Sequence, residues 1–446
     1  MGHKKNEGCD VGSVVTTFVP MCITSLDTEL LRLIEEGEEK PVSERGKTHT
    51  FPNDLYLAPS SGFQGQFYEL LNNLIQIPKP PQKVHQKAYR AVYEQIILNL
   101  SRCVITRLWL CIAGSNIRDT LGQWKYGPNR CHIYQSERVT KAILKLLIDA
   151  GLVFKNTGAA FEKGYVEDHY YPTRSLAMQL VKFSPFVEQN IVPSSKHLKI
   201  NDPDEAFEGF KWSEDHQDVK DIITINEFAR HQSWTLKAPI RQTFNGNPFT
   251  VGRLITPFQN LPSRDYEIRL RTIINGNPIA EVDFNANHLR IYLAYLGKPY
   301  EGSDPYAELA DIAGVSRREV KGFMTVAMNC SSLKEAKGAA LSERVSHQTS
   351  EKISKAFQRR FKGVELHSGF GVYAMNYEGL ILKDVMLQAL AKDIFTLPIH
   401  DAVACETQHS EVVNQIMLSS WEKIIQEIHN GNAIKTVTKV STHQIH

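Results

Sequence analysis

The chain has no Cys-x-x-Cys motif, and its seven cysteines (Cys9, Cys22, Cys103, Cys111, Cys131, Cys330 and Cys405) are scattered and odd in number. That pattern argues against a structural zinc site or a disulfide framework and favours reduced thiols. No apolar run approaches the ~20 residues that span a bilayer. The segment Met1-Gly-His-Lys-Lys5 lacks the long apolar core of a secretory signal. The expectation is a cytoplasmic protein without a membrane partner. Internal repeats and long low-complexity tracts are also missing. A charge of one sign is lacking too: the net charge is +2 over 446 residues. This balance neither demands nor excludes a nucleic-acid partner, because a basic cleft needs local charge, not a basic whole. What remains is an ordinary globular composition, 42% hydrophobic and 22% charged, in a chain long enough for two or three domains.

Four regions are expected: an N-terminal extension over 1–80, a DNA-binding or thumb-like unit over 81–184, a linker or insertion over 185–240, and a catalytic core over 241–446. In the first, Leu30 to Glu39 reads as a short helix between the Pro41 and Pro52 breakers. Pro78-Lys-Pro-Pro-Gln82 reads as an extended linker. Apolar residues at helical spacing (Val92, Ile96, Leu98, Val104, Leu108) predict one or two helices between Gln86 and Ile112. Ser136 to Ala150 is a capped helix with Val139, Ile143, Leu146 and Leu147 as its apolar stripe and Gly151 as its stop. Strand-like runs at Leu152 to Lys155 and Tyr165 to Tyr171 follow, so helix plus ribbon looks like a winged-helix module. The same order also suits a plain helix-and-hairpin scaffold. The stretch from about 184 to 222, rich in Pro, Asp, Glu and Ser, reads as linker, and Asp202 and Asp204 within it are taken as solvated.

The chemistry is concentrated after it. Ile279 to Phe284 is strand-like, Asp283 falls where that strand gives out, and Asn287 to Leu296 is helical. An acidic residue at such a junction is placed to hold a cation at a sheet edge, although many such residues only cap helices. Phe395 to Glu406 reads as two short strands meeting at His400-Asp401, a hairpin with Asp401 at its tip. Two carboxylates brought together repel unless cations lie between them. That suits a two-metal site with ions about 3.5–4 Å apart. Mg²⁺ is the natural ion, since it takes few protein carboxylates, and Mn²⁺ can substitute. Between the two lies Ser316-Arg317-Arg-Glu-Val-Lys321-Gly-Phe-Met-Thr325. Arg317, Lys321 and Thr325 share one helix face, and two cations there could grip a triphosphate.

Together with Val251-Gly-Arg253-Leu-Ile-Thr-Pro-Phe-Gln-Asn260-Leu-Pro262, these segments resemble family A DNA polymerases, the DNA polymerase I type. Asp283 to Arg290 resembles motif A, Arg317 to Lys321 motif B and His400-Asp401 motif C. Asn376-Tyr-Glu378-Gly379 resembles the segment before motif C that touches the template side. The resemblance covers about residues 241 to 425. It implies an α+β fold: a polymerase right-hand palm with an antiparallel sheet and helical fingers, preceded by a mostly helical, winged-helix-like N-terminal region. It also implies that Asp283 and Asp401 hold the metals, with the backbone carbonyl of Phe284 or Val282 as a further ligand. By the same resemblance Lys321 and Arg317 bind the triphosphate, and Lys321 protonates the leaving pyrophosphate. Arg253, Asn260, Asn376, Glu378 and His400 belong to the nucleic-acid side, and Arg290 supports motif A.

The departures bear on sugar selection. His288 stands where the family usually has glutamate, at a position that senses the sugar 2′ carbon. Thr325 stands where motif B usually has an aromatic residue, Met328-Asn329 where many members have tyrosine, and Ala402 where motif C usually has glutamate. Phe323 lies near but on another helix face. The related single-subunit phage RNA polymerases also lack that glutamate. His288 would exclude a 2′-hydroxyl by bulk or hydrogen-bond to one, and with Thr325 it is assigned to nucleotide binding. The roughly 240 residues before this core are too few for both a proofreading domain and a normal thumb, so no exonuclease is expected. The resulting expectation is a monomeric, magnesium-dependent DNA-directed DNA polymerase of phage or mobile-element type, acting on a primer-template with nucleoside triphosphates. A single-subunit RNA polymerase or primase-like enzyme, and a winged-helix replication or regulatory protein with a degenerate palm, are the alternatives.

Overall fold

The computed structural model describes residues 31–32, 34–37, 50–52, 57–59, 62–77, 83–113, 125–126, 132–133, 137–160, 166–184, 187–189, 197–261, 268–428 and 435–443. The Pro78 to Gln82 stretch, the Ser136 cap and Pro262 lie outside them. The fold is mixed α+β with largely antiparallel sheets. No helix among the described residues is long and apolar enough to cross a membrane.

In the N-terminal part the elements run β1 (Thr50–Pro52), β2 (Leu57–Pro59), α1 (Gln64–Leu74), α2 (Lys83–Thr106), β3 (Trp109–Ala113), β4 (Lys125–Tyr126), β5 (His132–Ile133), α3 (Glu137–Asp149), β6 (Val153–Ala160), β7 (Val166–Pro172), α4 (Arg174–Leu180) and β8 (Val187–Gln189). Helical residues also occur at 31–32 and 34–36, inside the span expected from Leu30. The helical spacing after Gln86 resolves into one 24-residue helix, α2, whose Val92, Ile96 and Val104 are fully buried. On α3, Val139, Ile143 and Leu147 are buried as the stripe required. Gly151 ends it at φ +69°, the left-handed turn that an L side chain resists. The antiparallel ribbon of β6 and β7 follows, as expected, but it is widened: β3 pairs antiparallel with β7, and β1 pairs parallel with β3.

The second part begins inside the segment read as linker, and there the structure differs. Residues 185–240 contain β9 (Leu198–Asn201) and α5 (Gln217–Arg230) besides β8. The acidic surface hid a buried stripe, Ile222, Ile225 and Ala229, and a start signal in which His216 Nδ1 accepts from the Asp218 N–H at 3.2 Å. Asp204 is engaged as well: its carboxylate accepts from the Asn247 amide at 3.0 Å. β9 runs parallel to β10 (Arg241–Asn245), which pairs antiparallel with β11 (Arg253–Ile255).

A second sheet then forms from β12 (Ile273–Ile274), β13 (Asn277–Phe284), β14 (Thr396–Ile399), β15 (Ala402–Glu406) and β16 (Thr438–Thr442). β13 lies between β15 on one side and β12 and β16 on the other, and β14 closes the edge beyond β15. All residues of β14 and β15 are buried, which explains their continuous apolar reading. Helices fill the long excursion between β13 and β14: α6 (Asn287–Tyr295), α7 (Pro305–Ala313), α8 (Arg317–Ala327), α9 (Leu333–Ala340), α10 (His347–Arg360) and α11 (Gly371–Leu390). Local capping starts four of them, at Asp304-Pro305, at the Ser316/Glu319 capping box, at Ser332 and at Ser346. After β15 the chain enters α12 (Ser410–Ile428), which packs on β13, β15 and β16.

Candidate functional site

The two acidic strand ends lie side by side. Asp283 pairs in register with Ala402, and the Phe284 N–H donates to the Asp401 carbonyl at 3.4 Å. His400-Asp401 forms the two-residue turn between β14 and β15, closed by the Ile399–Ala402 pair. A left-handed residue that is not glycine stands at each end: His400 at φ +53° and Ala286, the residue capping α6, at φ +51°. Such conformations cost about 1–3 kcal/mol and persist where the surroundings over-determine them. Both strained residues sit within three positions of the carboxylates they present.

The pair is electrostatically uncomfortable. Burial first, then the Asp401 charge, push the Asp283 carboxyl well above the ordinary carboxylate range; Glu281 and Glu378 add to this and Lys321 opposes it. Burial first, then Glu378, raise Asp401 likewise, with His288 and Lys321 opposing. Asp283 Oδ1 is buried without a hydrogen-bond partner among the described residues, and so are Asn285 Oδ1 and Asn287 Nδ2 next to it. Buried polar atoms are rarely orphaned. Hard anionic oxygens that repel each other fit a divalent cation as donor set. No group of three or more His, Cys, Asp or Glu side chains is arranged to hold a metal among the described residues. An ion here would therefore rest on Asp283 and Asp401, its shell completed by main-chain, water or substrate oxygens.

α8 presents the expected stripe. Lys321 and Thr325 are exposed, while Phe323 and Met324 are buried on the opposite side. The Thr325 hydroxyl donates to the Lys321 carbonyl at 2.7 Å, and the Asn329 amide donates to the Thr325 carbonyl at 3.2 Å. The Lys321 charge acts on both Asp283 and Asp401. Arg317 is differently placed than its spacing promised. Its Nε donates to Asp304 at 2.5 Å, and its guanidinium lies 5.8 Å from the Tyr306 ring. Asp304 also accepts from the Tyr306 and Ala307 N–H groups as the cap of α7. Any phosphate bound by Arg317 competes with that carboxylate.

The third group gathers around Glu378 on α11. Glu378, which the resemblance puts on the nucleic-acid side, is fully buried. One carboxylate oxygen accepts from Arg253 Nε at 3.2 Å; the other lies 2.8 Å from His288 Nε2. Burial alone would raise Glu378 and lower His288. Their mutual attraction outweighs it, so Glu378 sits below and His288 above its ordinary value. Two glycines permit the approach: a Cβ on Gly379 would collide with the Gly252 carbonyl, and one on Gly252, at φ +57°, with the Asn376 amide. His400 borders the same cluster. Burial first, then the Arg253 cation, hold its imidazole below the ordinary value. Asn376 is half-buried and donates to the Pro248 carbonyl at 3.3 Å, tying α11 to the β10–β11 turn. Asn260 is exposed at the end of a 3-10 turn (Pro257–Asn260).

Arg290 is a buried clamp: it donates to the carbonyls of Asn285, Tyr300, Gly302 and Ser303, holding the loop that leads to Asp304. Three residues were not singled out from the sequence. Arg269 grips Glu281 through Nε at 2.6 Å and Nη2 at 2.9 Å, and its Nη1 donates to the Gln259 and Leu261 carbonyls. Tyr306 is buried and feels the Asp401 charge. Asp304-Pro305 is legible as a helix start, but its hold on Arg317 is not. The chain matches no protein-family model and no curated protein.

Proposed function

We propose that this protein is a template-directed nucleotidyltransferase that extends a primer 3′ end with nucleoside triphosphates, a DNA-directed DNA polymerase of the family A kind. In that reading the sheet of β12 to β16 is the palm and the helices α7 to α10 belong to the fingers. The observation that carries it is the Asp283–Asp401 pair: two carboxylates on adjacent strand ends, both raised, one with an orphaned oxygen, and Lys321 facing them. Mg²⁺ held by these two carboxylates would supply charge neutralisation and polarise the phosphate oxygens in transfer. Lys321, exposed on α8, meets the triphosphate and is the group able to give a proton to the leaving pyrophosphate. Arg317 takes the outer phosphate by exchanging it for Asp304. Arg253 faces the duplex next to the primer end and His288 the incoming nucleotide. Catalysis is then mostly positioning.

The test is extension of a labelled primer on a template by the full chain with Mg²⁺, offering deoxynucleotides and ribonucleotides in separate reactions. Asp283→Asn and Asp401→Asn are each expected to lower extension on the order of 10³-fold, with duplex affinity within about twofold of wild type. Extension at the wild-type rate by either variant defeats the assignment. Preference for ribonucleotides, or starts without a primer, transfers the assignment to an RNA polymerase or primase-like enzyme. Tight duplex binding with no incorporation under Mg²⁺ or Mn²⁺ favours a DNA-binding protein.

A further inference from the structure

Outside the acidic pair, the Glu378 carboxylate stands buried between two partners from different elements. It is fully buried, so it cannot itself touch a nucleic acid. A buried carboxylate costs several kcal/mol unless it is well paired. Here the pairing is divided, one oxygen to each of two partners from different elements: Arg253 on β11 and His288 on α6. Both partners remain partly open, with side chains 28% and 20% exposed. Each commits a single nitrogen to Glu378. The two terminal nitrogens of Arg253 and Nδ1 of His288 make none of the described hydrogen bonds. One buried anion thus orients two partly exposed donors, each with unspent hydrogen-bonding capacity.

We infer that Glu378 is a positioning residue through which Arg253 and His288 act as one unit, so that occupancy of the duplex side is felt on the nucleotide side. This rests on the polymerase reading for the identity of the two ligands, but the knot itself does not. The physical reason is competition for one charge. When a duplex engages the free nitrogens of Arg253, the guanidinium gives up part of its hold on the first oxygen. Glu378 then bonds His288 more strongly and stiffens it against the incoming nucleotide. Coupling of this kind is reciprocal. The short reach is secured by the Gly252–Gly379 contact, which seats β11 directly on α11.

The experiment measures duplex affinity by fluorescence anisotropy with a chain-terminated primer, with and without the matching nucleoside triphosphate and Mg²⁺, so that no turnover is needed. In wild type the nucleotide is expected to tighten the duplex about fivefold or more. In Glu378→Gln, nearly the same shape without the charge, the gain falls below about twofold at unchanged melting temperature. Arg253→Ala and His288→Ala each lose the gain, and the double variant loses no more than either alone. Retention of the full gain in Glu378→Gln, or independent multiplication of the two single losses, overturns the inference. Should wild type show no nucleotide effect, the polymerase reading fails and the knot is still tested. By ¹⁵N-histidine NMR, Arg253→Gln must shift the His288 ring resonances through Glu378. Unmoved resonances overturn the inference.

Discussion

Glu281 and Asp283 stand two residues apart on β13, on the same side of the strand, and meet opposite fates. Glu281 is gripped by both ends of the Arg269 fork, with side chains 12% and 9% exposed. Asp283 has no such partner among the described residues; it feels a second carboxylate's charge and keeps one buried oxygen unbonded. The first arrangement is the way a protein tolerates a buried charge, by planar pairing that spends the desolvation cost on a fixed geometry. The second is unfavourable for the charged carboxyl in the folded chain, and a proton or, under the proposed function, a cation relieves it. A strand that satisfies one carboxylate and leaves the next on that face unsatisfied is what the proposed function requires of a position that takes up a cation.

Breaking the satisfied half gives the largest expected effect on stability. Arg269→Met leaves Glu281 charged, shielded and alone, and frees the Gln259 and Leu261 carbonyls. A loss of about 3–5 kcal/mol in chemical denaturation is expected, and a loss under about 1 kcal/mol would show that the fork is decorative. The unsatisfied half is sharpened by adding metal. Mg²⁺ at one hundred times its dissociation constant should stabilise wild type by about 2.7 kcal/mol, read as a rise in melting temperature. Asp283→Asn and Asp401→Asn should lose that rise, whereas Asp204→Asn keeps it.

The smallest effect is on pH. The folded Asp283 carboxyl is raised above its unfolded value, so the folded state binds the proton more tightly. Its contribution to stability is complete below the ordinary carboxylate range, near pH 4, and is lost as pH rises through the raised folded value. Metal-free wild type should therefore lose on the order of 1 kcal/mol between mildly acidic and mildly alkaline solution. Asp283→Asn should flatten that slope and melt higher than wild type at the alkaline end. A steeper slope in the variant would reverse the assigned direction.

Much of this was legible before any fold. The strand ending in Asp283, the hairpin at His400-Asp401 and the helix carrying Lys321 and Thr325 announce themselves through local periodicity and caps, and the structure has each of them. The Gly252 and Gly379 positions were visible only as parts of two separate segments, and nothing local said that they touch. The acidic stretch before Arg241 misled because its solvent face outnumbers its buried stripe, and α5 shows its reason only against α11, where Lys383 meets Asp218 and Asp221. The burial of Glu378 was not legible locally, since its partners Arg253 and His288 lie far from it in the chain.

By itself the order of residues determined where strands end, where helices begin and which faces carry charge, because hydrophobic period and capping act over a few neighbours. Only the tertiary structure decided which charges are quenched and which are left wanting. That choice depends on residues far apart in the chain, Arg269 against Glu281, Asp304 against Arg317, Glu378 between Arg253 and His288, and Asp401 against Asp283. Electrostatic energy follows distance and burial in space, and neither is written in sequence separation.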